Sequence, residues 1–427
     1  MFSFKNGILN INLNRSGFDI AVDMSFLLLL CSIFINGSSF EGENYFYYIA
    51  FFTFLGTTMV KLMMRFKSEE TIILPQFTIW YGSFVVLSLL SMLWALYPEN
   101  STLVMSRLIQ SLVITFCMAQ NYATRPGLMK CIQLFAWAGA YATAVVFIRT
   151  PVAEWFMGGF GYSASKYNAN TVGMIFTLCV LVSFYLAFYC KARYYYILAF
   201  FQFFAVILTS SRKSLIASMI GIMLLIVMRS KKKTLIWRVL IAAGLFAVVW
   251  FIVMTVPNLY NAIGVRFDSM FAHITNDGGD YSMTLRRSFI ENAQDMFFEK
   301  PILGYGINNF SKQMFFRTGI SDYAHNNYYE ILANLGIVGL AVFYGYYFYL
   351  MFSMLKIWRH SNGSLLKLML VLLAVIMICE YGMVTYYALY IHVVLNMIYL
   401  FICAYNNPDR SYRTGAGKLN YKQGIYE

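Results

Sequence analysis

Long apolar runs alternate with short polar connections along most of this chain. A helix needs about 20 mainly apolar residues to cross a bilayer, and most of the runs approach or exceed that length. We predict spanning helices near residues 19–36, 45–64, 72–96, 102–122, 129–148, 170–189, 194–211, 214–229, 235–254, 328–354, 365–383 and 385–405. The runs do not alternate as the strands of an outer-membrane barrel do. The pattern predicts an all-α polytopic membrane protein with about twelve transmembrane helices.

One long polar interval, residues 255–327, interrupts this pattern late in the chain. Within it, four apolar residues recur at helical spacing, with polar residues between them: Phe289, Ala293, Met296 and Phe297. This spacing predicts an amphipathic helix that lies along the membrane surface. Pro301 would end the helix, and Gly304 and Gly306 favour a tight turn after it. The interval is predicted to be one large extracytoplasmic loop, and we expect any chemistry there.

The predicted elements divide the chain into four segments. These are residues 1–254 with transmembrane helices 1–9, residues 255–327 with the extracytoplasmic loop and its catalytic elements, residues 328–405 with transmembrane helices 10–12, and residues 406–427 with a cytoplasmic tail.

The composition supports a membrane protein and limits the classes of partner. The 427 residues are 60% hydrophobic and 12% charged, whereas soluble domains carry about 25% charged residues. The net charge of +13 does not predict nucleic-acid binding, because Lys and Arg concentrate in every second connection, as the positive-inside rule requires. This scheme places both termini in the cytoplasm. The seven cysteines include no Cys-x-x-Cys pair, so neither a metal site nor a disulfide framework is expected.

Several cations lie on the outer side of this scheme, against the charge bias. Those near span ends are Arg107, Arg149, Lys166, Arg212 and Lys213. A polyanionic ligand is one reason for such a placement, because guanidinium groups match phosphate oxygens. The Arg212-Lys213 pair follows Ser211 at the start of a predicted helix, where free backbone N–H groups favour an anion. The alternative is an ordinary polar turn whose cations contact lipid phosphates.

The polar interval offers two further candidates. Arg286 and Arg287 open the amphipathic helix, either as part of an anion site or as a solvated or lipid-facing basic pair. His325 lies where the chain re-enters the membrane, beside Asn326 and shortly before Glu330. An imidazole can act as a general base near neutral pH. The alternative is an interfacial histidine that is hydrogen-bonded to an asparagine.

The order of these motifs resembles the bacterial O-antigen ligase and polysaccharide polymerase superfamily, which includes the Wzy-type polymerases. The matching pieces lie within about residues 205–345: Ser211-Arg212, Arg286, Pro301-Ile302-Leu303-Gly304-Tyr305-Gly306, His325-Asn326 before Glu330, and Leu335-Gly336-Ile337-Val338-Gly339. Ile290 departs from the pattern, because the family often has Trp at that position. Ala293 fits the family's spacing when it is counted from Arg286. This favours Arg286 over Arg287 as the equivalent of the family's arginine.

The resemblance implies a glycosyltransferase in the bacterial inner or plasma membrane, with its site on the outer face. Its donor would be an undecaprenyl-diphosphate-linked oligosaccharide. The acceptor would be a second lipid-linked repeat unit in a polymerase, the reading we favour, or a lipid A core in a ligase. The reaction would be inverting and would need no metal and no cofactor. Membrane lipid, a flippase and a chain-length regulator are further expected partners, and nucleic acid is not.

The implied mechanism gives each candidate residue a role. Arg212 and Arg286, assisted by Lys213 and Arg287, would bind the diphosphate and neutralise charge that develops on it. His325 would accept the proton of the acceptor hydroxyl. Asn326 or Glu330 would orient the imidazole, and Ser211 would support the helix start. A lipid-linked oligosaccharide flippase or transporter is the alternative from another class, although such proteins more often show internal repeats and charges within their spans.

Overall fold

Helices make up most of the computed structural model. It describes residues 2–5, 8–11, 17–35, 44–67, 74–157, 160–161, 165, 167–229, 234–274 and 281–406. Lys166 and nearly all of the predicted cytoplasmic tail, residues 407–427, lie outside the described residues. A short antiparallel hairpin precedes the helices and pairs β1, Phe2–Lys5, with β2, Ile8–Ile11.

Among the described residues, one helix corresponds to each of the predicted apolar runs, and further helices lie in the polar interval 255–327. The helices are α1 Gly17–Ile35, α2 Tyr45–Lys67, α3 Gln76–Ser91, α4 Pro98–Tyr122, α5 Arg125–Arg149, α6 Ala169–Phe188, α7 Tyr195–Leu208, α8 Arg212–Met228, α9 Leu235–Thr255, α10 Val265–Ile274, α11 Tyr281–Glu299, α12 Phe310–Thr318, α13 Asn327–His360, α14 Ser364–Glu380 and α15 Leu389–Asn406. Eight of the described helices are both long enough and apolar enough to cross a membrane. The chain is therefore a multi-pass membrane protein, and the predicted count of twelve spans is not confirmed.

Helix α6 lies at the centre of the bundle, and α9 lies at its edge. Most residues of α6 are buried, because it packs against α5, α7, α8 and α14. In α9, by contrast, only Ala242 and Val253 are buried. The Thr177 hydroxyl of α6 donates to the backbone oxygen of Ser214, 3.0 Å away, and thereby ties α6 to the first turn of α8. The start of α8 is thus anchored in the most buried part of the molecule.

Helix α11 is amphipathic, as predicted, and its apolar face is covered by the protein itself. Phe289, Ala293 and Met296 are fully buried, and Phe297 is half-buried. Phe289, Ala293 and Met296 pack in a cluster whose other buried members are Tyr305, Phe310, Met314, Ala324 and Ala333. Packing within the chain therefore explains the apolar spacing that the sequence shows.

Helix α13 breaks at Gly336, which has φ +63° and ψ −162°. The turn formed by residues 301–306 fits against this break. The N–H groups of Tyr305 and Gly306 donate to the carbonyls of residues 333 and 334, at 3.0 and 2.7 Å. In return, the N–H groups of residues 337 and 338 donate to the carbonyls of residues 301 and 302, at 2.8 and 3.3 Å. The turn thus joins the end of α11 to α13 through four backbone hydrogen bonds.

Glycine is required on both sides of this contact. A Cβ atom on Gly304 would lie 2.5 Å from the carbonyl carbon of Asn334, and one on Gly336 would lie 2.3 Å from the Ile302 oxygen. Both residues also have positive φ, a backbone conformation that other residues rarely adopt. The Gly-x-Gly sequence therefore serves close backbone packing.

Candidate functional site

His325 projects from the loop that leads into α13. Its backbone is left-handed, with φ +52°, which costs a non-glycine residue about 1–3 kcal/mol. Asn326 caps α13, because its Oδ1 accepts from the N–H groups of Tyr328 and Tyr329 at 3.0 and 3.2 Å. The carboxylate of Glu330 accepts from the N–H of Ala324 at 2.7 Å. These bonds hold the loop on both sides of His325 and offset the strain.

The imidazole of His325 lies among aromatic rings and one carboxylate. Its Nε2 is 3.3 Å from Oδ2 of Asp322. The ring centroid lies 4.0 Å from that of Tyr323, and the ring stacks on Phe289 with centroids 5.8 Å apart. The side chain is 14% exposed. Among the described residues, its other nitrogen, Nδ1, is buried and has no hydrogen-bond partner.

The surroundings keep His325 neutral over a wide pH range. Burial lowers its pKa most strongly, the hydrogen bond and charge of Asp322 act in the opposite direction, and the charges of Arg286 and Lys213 lower it further. The net pKa lies below the usual value of about 6.5. Burial acts to raise the pKa of Asp322, but its hydrogen bonds with His325 and with the backbone N–H of Tyr323 outweigh this effect and lower it. At neutral pH, the site therefore holds a neutral imidazole beside a carboxylate.

Two cations from separate parts of the chain face this imidazole. Lys213, in the first turn of α8, donates through Nζ to the carbonyl of Gly382 in the connection between α14 and α15. Arg286 comes from α11. Burial, assisted by the positive charge of Arg286, lowers the pKa of Lys213 to about 7. The charges of Lys213 and Arg286 both act on His325, and Arg286 also acts on Asp322. The structure thus brings together the start of α8, α11 and the loop before α13.

Ser211 and Arg212 lie at the start of α8. Ser211 caps the helix, because its Oγ accepts from the N–H of Ser214 at 3.4 Å, and it donates to Oδ1 of Asn170 at 3.0 Å. Arg212 donates through Nη1 to the carbonyl of Arg266 on α10, 2.5 Å away. The charge of Arg212 acts on Lys213. Arg212 therefore adjoins the group around His325 and connects it with α10.

The two arginines of α11 lie in different environments. Arg287 pairs through Nε with the Glu291 carboxylate at 2.9 Å, and these side chains are 81% and 57% exposed. Arg286 instead interacts with Lys213, Asp322 and His325. Arg286 thus lies beside the group around His325, whereas Arg287 lies in an ion pair on the surface.

The prediction that Asn326 or Glu330 orients the imidazole is wrong for this structure, since the side-chain partner of the ring is Asp322. Asn326 caps α13 and donates through Nδ2 to the carbonyl of Tyr381 at 3.1 Å, and Glu330 binds the loop backbone. The sequence motifs do not single out Asp322, although it lies only three residues before His325. The contact depends on the left-handed backbone at His325, which the sequence pattern does not indicate.

One residue upstream of the matched motifs, Asn168, also reaches the site. Asn168, which caps α6, donates through Nδ2 to the Tyr323 hydroxyl at 3.4 Å. Across the described ranges, no group of three or more His, Cys, Asp or Glu residues is arranged to hold a metal ion. The side chains around His325 thus offer positive charge, one carboxylate and aromatic surface.

Residues 197–344 match a protein-family model described as O-antigen ligase, and no curated protein matches the chain. The matched segment extends from α7 into α13 and includes Lys213, Arg286, Asp322 and His325. Over residues 197–344, the chain is therefore similar to the O-antigen ligase family.

Proposed function

We propose that the protein is a polysaccharide polymerase. It transfers an oligosaccharide from an undecaprenyl-diphosphate carrier to a lipid-linked repeat unit at the outer face of the membrane. The observation that carries this proposal is the convergence of Lys213 and Arg286 on the neutral imidazole of His325. A diphosphate needs concentrated positive charge, and an attacking hydroxyl needs a base. This group of residues supplies both.

The cations bind the diphosphate of the donor. Arg286 offers a planar guanidinium that suits bidentate contact with phosphate oxygens. Lys213 adds a second charge at the start of α8, and Arg212 adjoins it. Negative charge on the diphosphate increases as its bond to the sugar breaks, so preorganised cations stabilise the transition state more than the ground state. Loss of one such group typically lowers the rate by about 10²–10³-fold.

His325 acts as the general base in this proposal. As the acceptor hydroxyl oxygen forms its bond to the anomeric carbon of the donor sugar, the imidazole takes the hydroxyl proton. The bond between the anomeric carbon and the diphosphate oxygen breaks, and the diphosphate leaves with the electron pair. A single displacement of this kind inverts the anomeric centre. General-base assistance contributes about 10²–10⁴-fold to the rate.

A ligase is the second candidate, because the matching family model is described as O-antigen ligase. The two activities share the donor site and differ in the acceptor, which is a lipid A core in a ligase. In both cases a flippase would deliver the donor to the outer face, and in a polymerase a chain-length regulator would act on the growing product.

The test is transfer by the purified protein in liposomes that contain undecaprenyl-diphosphate-linked repeat units. A ladder of products that differ by one repeat unit is expected of a polymerase. A single product that appears only when lipid A core is added would identify a ligase. Movement of the lipid-linked unit across the bilayer without a new glycosidic bond would contradict both and identify a transporter.

A further inference from the structure

We infer that Asp322 is a positioning residue for His325: its carboxylate holds the proton on Nε2 and leaves Nδ1 to receive the proton of the acceptor hydroxyl. The inference rests on the proposed function and assigns the basic atom within it. Asp322 acts through His325 and does not itself contact the reacting atoms.

The carboxylate of Asp322 is held in place by its own loop. Oδ1 accepts from the backbone N–H of Tyr323 at 2.8 Å, and Oδ2 is left to face Nε2 of His325 at 3.3 Å. An ionised carboxylate can only accept hydrogen bonds, so Nε2 must carry the proton in this contact. In a neutral imidazole, the other nitrogen then bears the lone pair.

The state of Nδ1 agrees with this assignment. It is buried and, across the part of the chain that the structure describes, without a hydrogen-bond partner. Buried polar atoms in native proteins nearly always have a partner, and an exception calls for an explanation. A hydroxyl of the acceptor sugar would supply the missing hydrogen bond and at the same time give up its proton.

The ring is restrained so that its two nitrogens do not exchange places. Tyr323 lies against the imidazole with centroids 4.0 Å apart, and Phe289 stacks on it at an interplanar angle of 11°. The backbone of His325 is itself held in the left-handed region, with φ +52°. A rotation of the ring would remove Nε2 from the only carboxylate that the described residues place in hydrogen-bond contact with it.

The charged and titratable groups around His325 determine the sign of the pH effect. Asp322 and Tyr323 face it from its own loop, Arg286 from α11 and Lys213 from α8. Tyr387, just before α15, and Glu330 of α13 interact electrostatically with Tyr323 and Asp322. Asp322 raises the pKa of His325, and the two cations lower it. Loss of the Asp322 charge must therefore lower this pKa further.

The experiment measures the initial transfer rate against pH in liposomes with lipid-linked repeat units. In the wild type, the rate falls on the acidic side as His325 becomes protonated, with its midpoint below about pH 6.5. Asp322→Asn should lower the maximal rate at least about 10-fold and move this acidic midpoint to lower pH. Asp322→Glu, which keeps the charge, should restore the midpoint and much of the rate. Asp295→Asn, the same change at an exposed site on α11, should alter neither.

The controls separate this inference from the proposed function. A folded Asp322→Asn protein with the wild-type rate and midpoint, in a preparation whose His325→Ala variant is inactive, would overturn the role of Asp322 alone. Full activity of His325→Ala would overturn the proposed function itself. Rates are compared per folded protein, as measured by size-exclusion chromatography. If Asp322→Asn does not fold, Asp322→Ser takes its place, and an unchanged acidic midpoint in that variant equally overturns the inference.

Discussion

At the scale of single residues, Arg286 and Arg287 show how much adjacent positions on one helix can differ. Successive residues of an α-helix are rotated by about 100° about its axis, so the two guanidinium groups leave α11 in different directions. Arg286 interacts with Lys213, Asp322 and His325, whereas Arg287 pairs with exposed Glu291. Each residue is therefore a natural control for the other.

Arg286→Ala should lower the transfer rate about 10²–10³-fold, because it removes a cation that binds the leaving diphosphate. Arg287→Ala should change the rate by less than about 2-fold, because exposed ion pairs contribute little. The measurement is the initial rate in liposomes, normalised to folded protein. Equal losses in the two variants would show that the doublet acts through general attraction to the membrane or ligand and not through a specific site.

At the scale of elements, helix positions were predictable and the loop conformation was not. The starts of α8 and α13 fall within a few residues of the predicted boundaries, because the local apolar pattern determines where each helix begins. The partner of His325 depends on the left-handed backbone of one loop residue and on the packing of Phe289 and Tyr323 around it. These are long-range features that no sequence period encodes. The Pro-x-x-Gly-x-Gly sequence predicts a turn, which the structure contains, but it does not predict the contact of that turn with Gly336.

Gly336→Ala tests the contact between the 301–306 turn and α13. The added methyl group would meet the Ile302 oxygen at 2.3 Å on a backbone with positive φ. We expect a loss of at least about 1–3 kcal/mol of stability, measured as a lower thermal unfolding temperature in detergent. Gly345→Ala, on the same helix and with no neighbouring atom within 4 Å of the added carbon, should be neutral or slightly stabilising. Similar temperatures for both variants would contradict the role assigned to Gly336.

At the scale of the whole molecule, the site is built from three parts of the chain that meet at one end of the bundle. Lys213 of α8 donates to the carbonyl of Gly382, and Asn326, which caps α13, donates to the carbonyl of the preceding residue, Tyr381. The connection between α14 and α15 thus holds both the start of α8 and the start of α13 in place. The charge pattern predicted that these segments share one side of the membrane. It did not reveal this connection, because backbone carbonyls carry no sequence signal.

The membrane orientation can be tested with single cysteines. Cys190 is exposed at the end of α6, and Ser321 is exposed in the loop before His325. The charge scheme places residue 190 in the cytoplasm and residue 321 outside. In intact cells, a membrane-impermeant maleimide should therefore label Ser321→Cys in a Cys190→Ser background and should not label native Cys190 until the cells are opened. Labelling of Cys190 in intact cells would reverse the proposed orientation.

The break in α13 has a consequence for how the site tolerates sequence change. In an unbroken helix, the N–H groups of residues 337 and 338 would bind the carbonyls of residues 333 and 334. Here the backbone of the 301–306 turn hydrogen-bonds with all four of these groups and so bridges the break in the helix. Main-chain atoms therefore set the spacing between α11, which carries Arg286, and the start of α13, which follows His325. Substitutions of the side chains at residues 302 and 303 should leave that spacing unchanged. One residue inserted between 301 and 306 should instead move Arg286 away from His325.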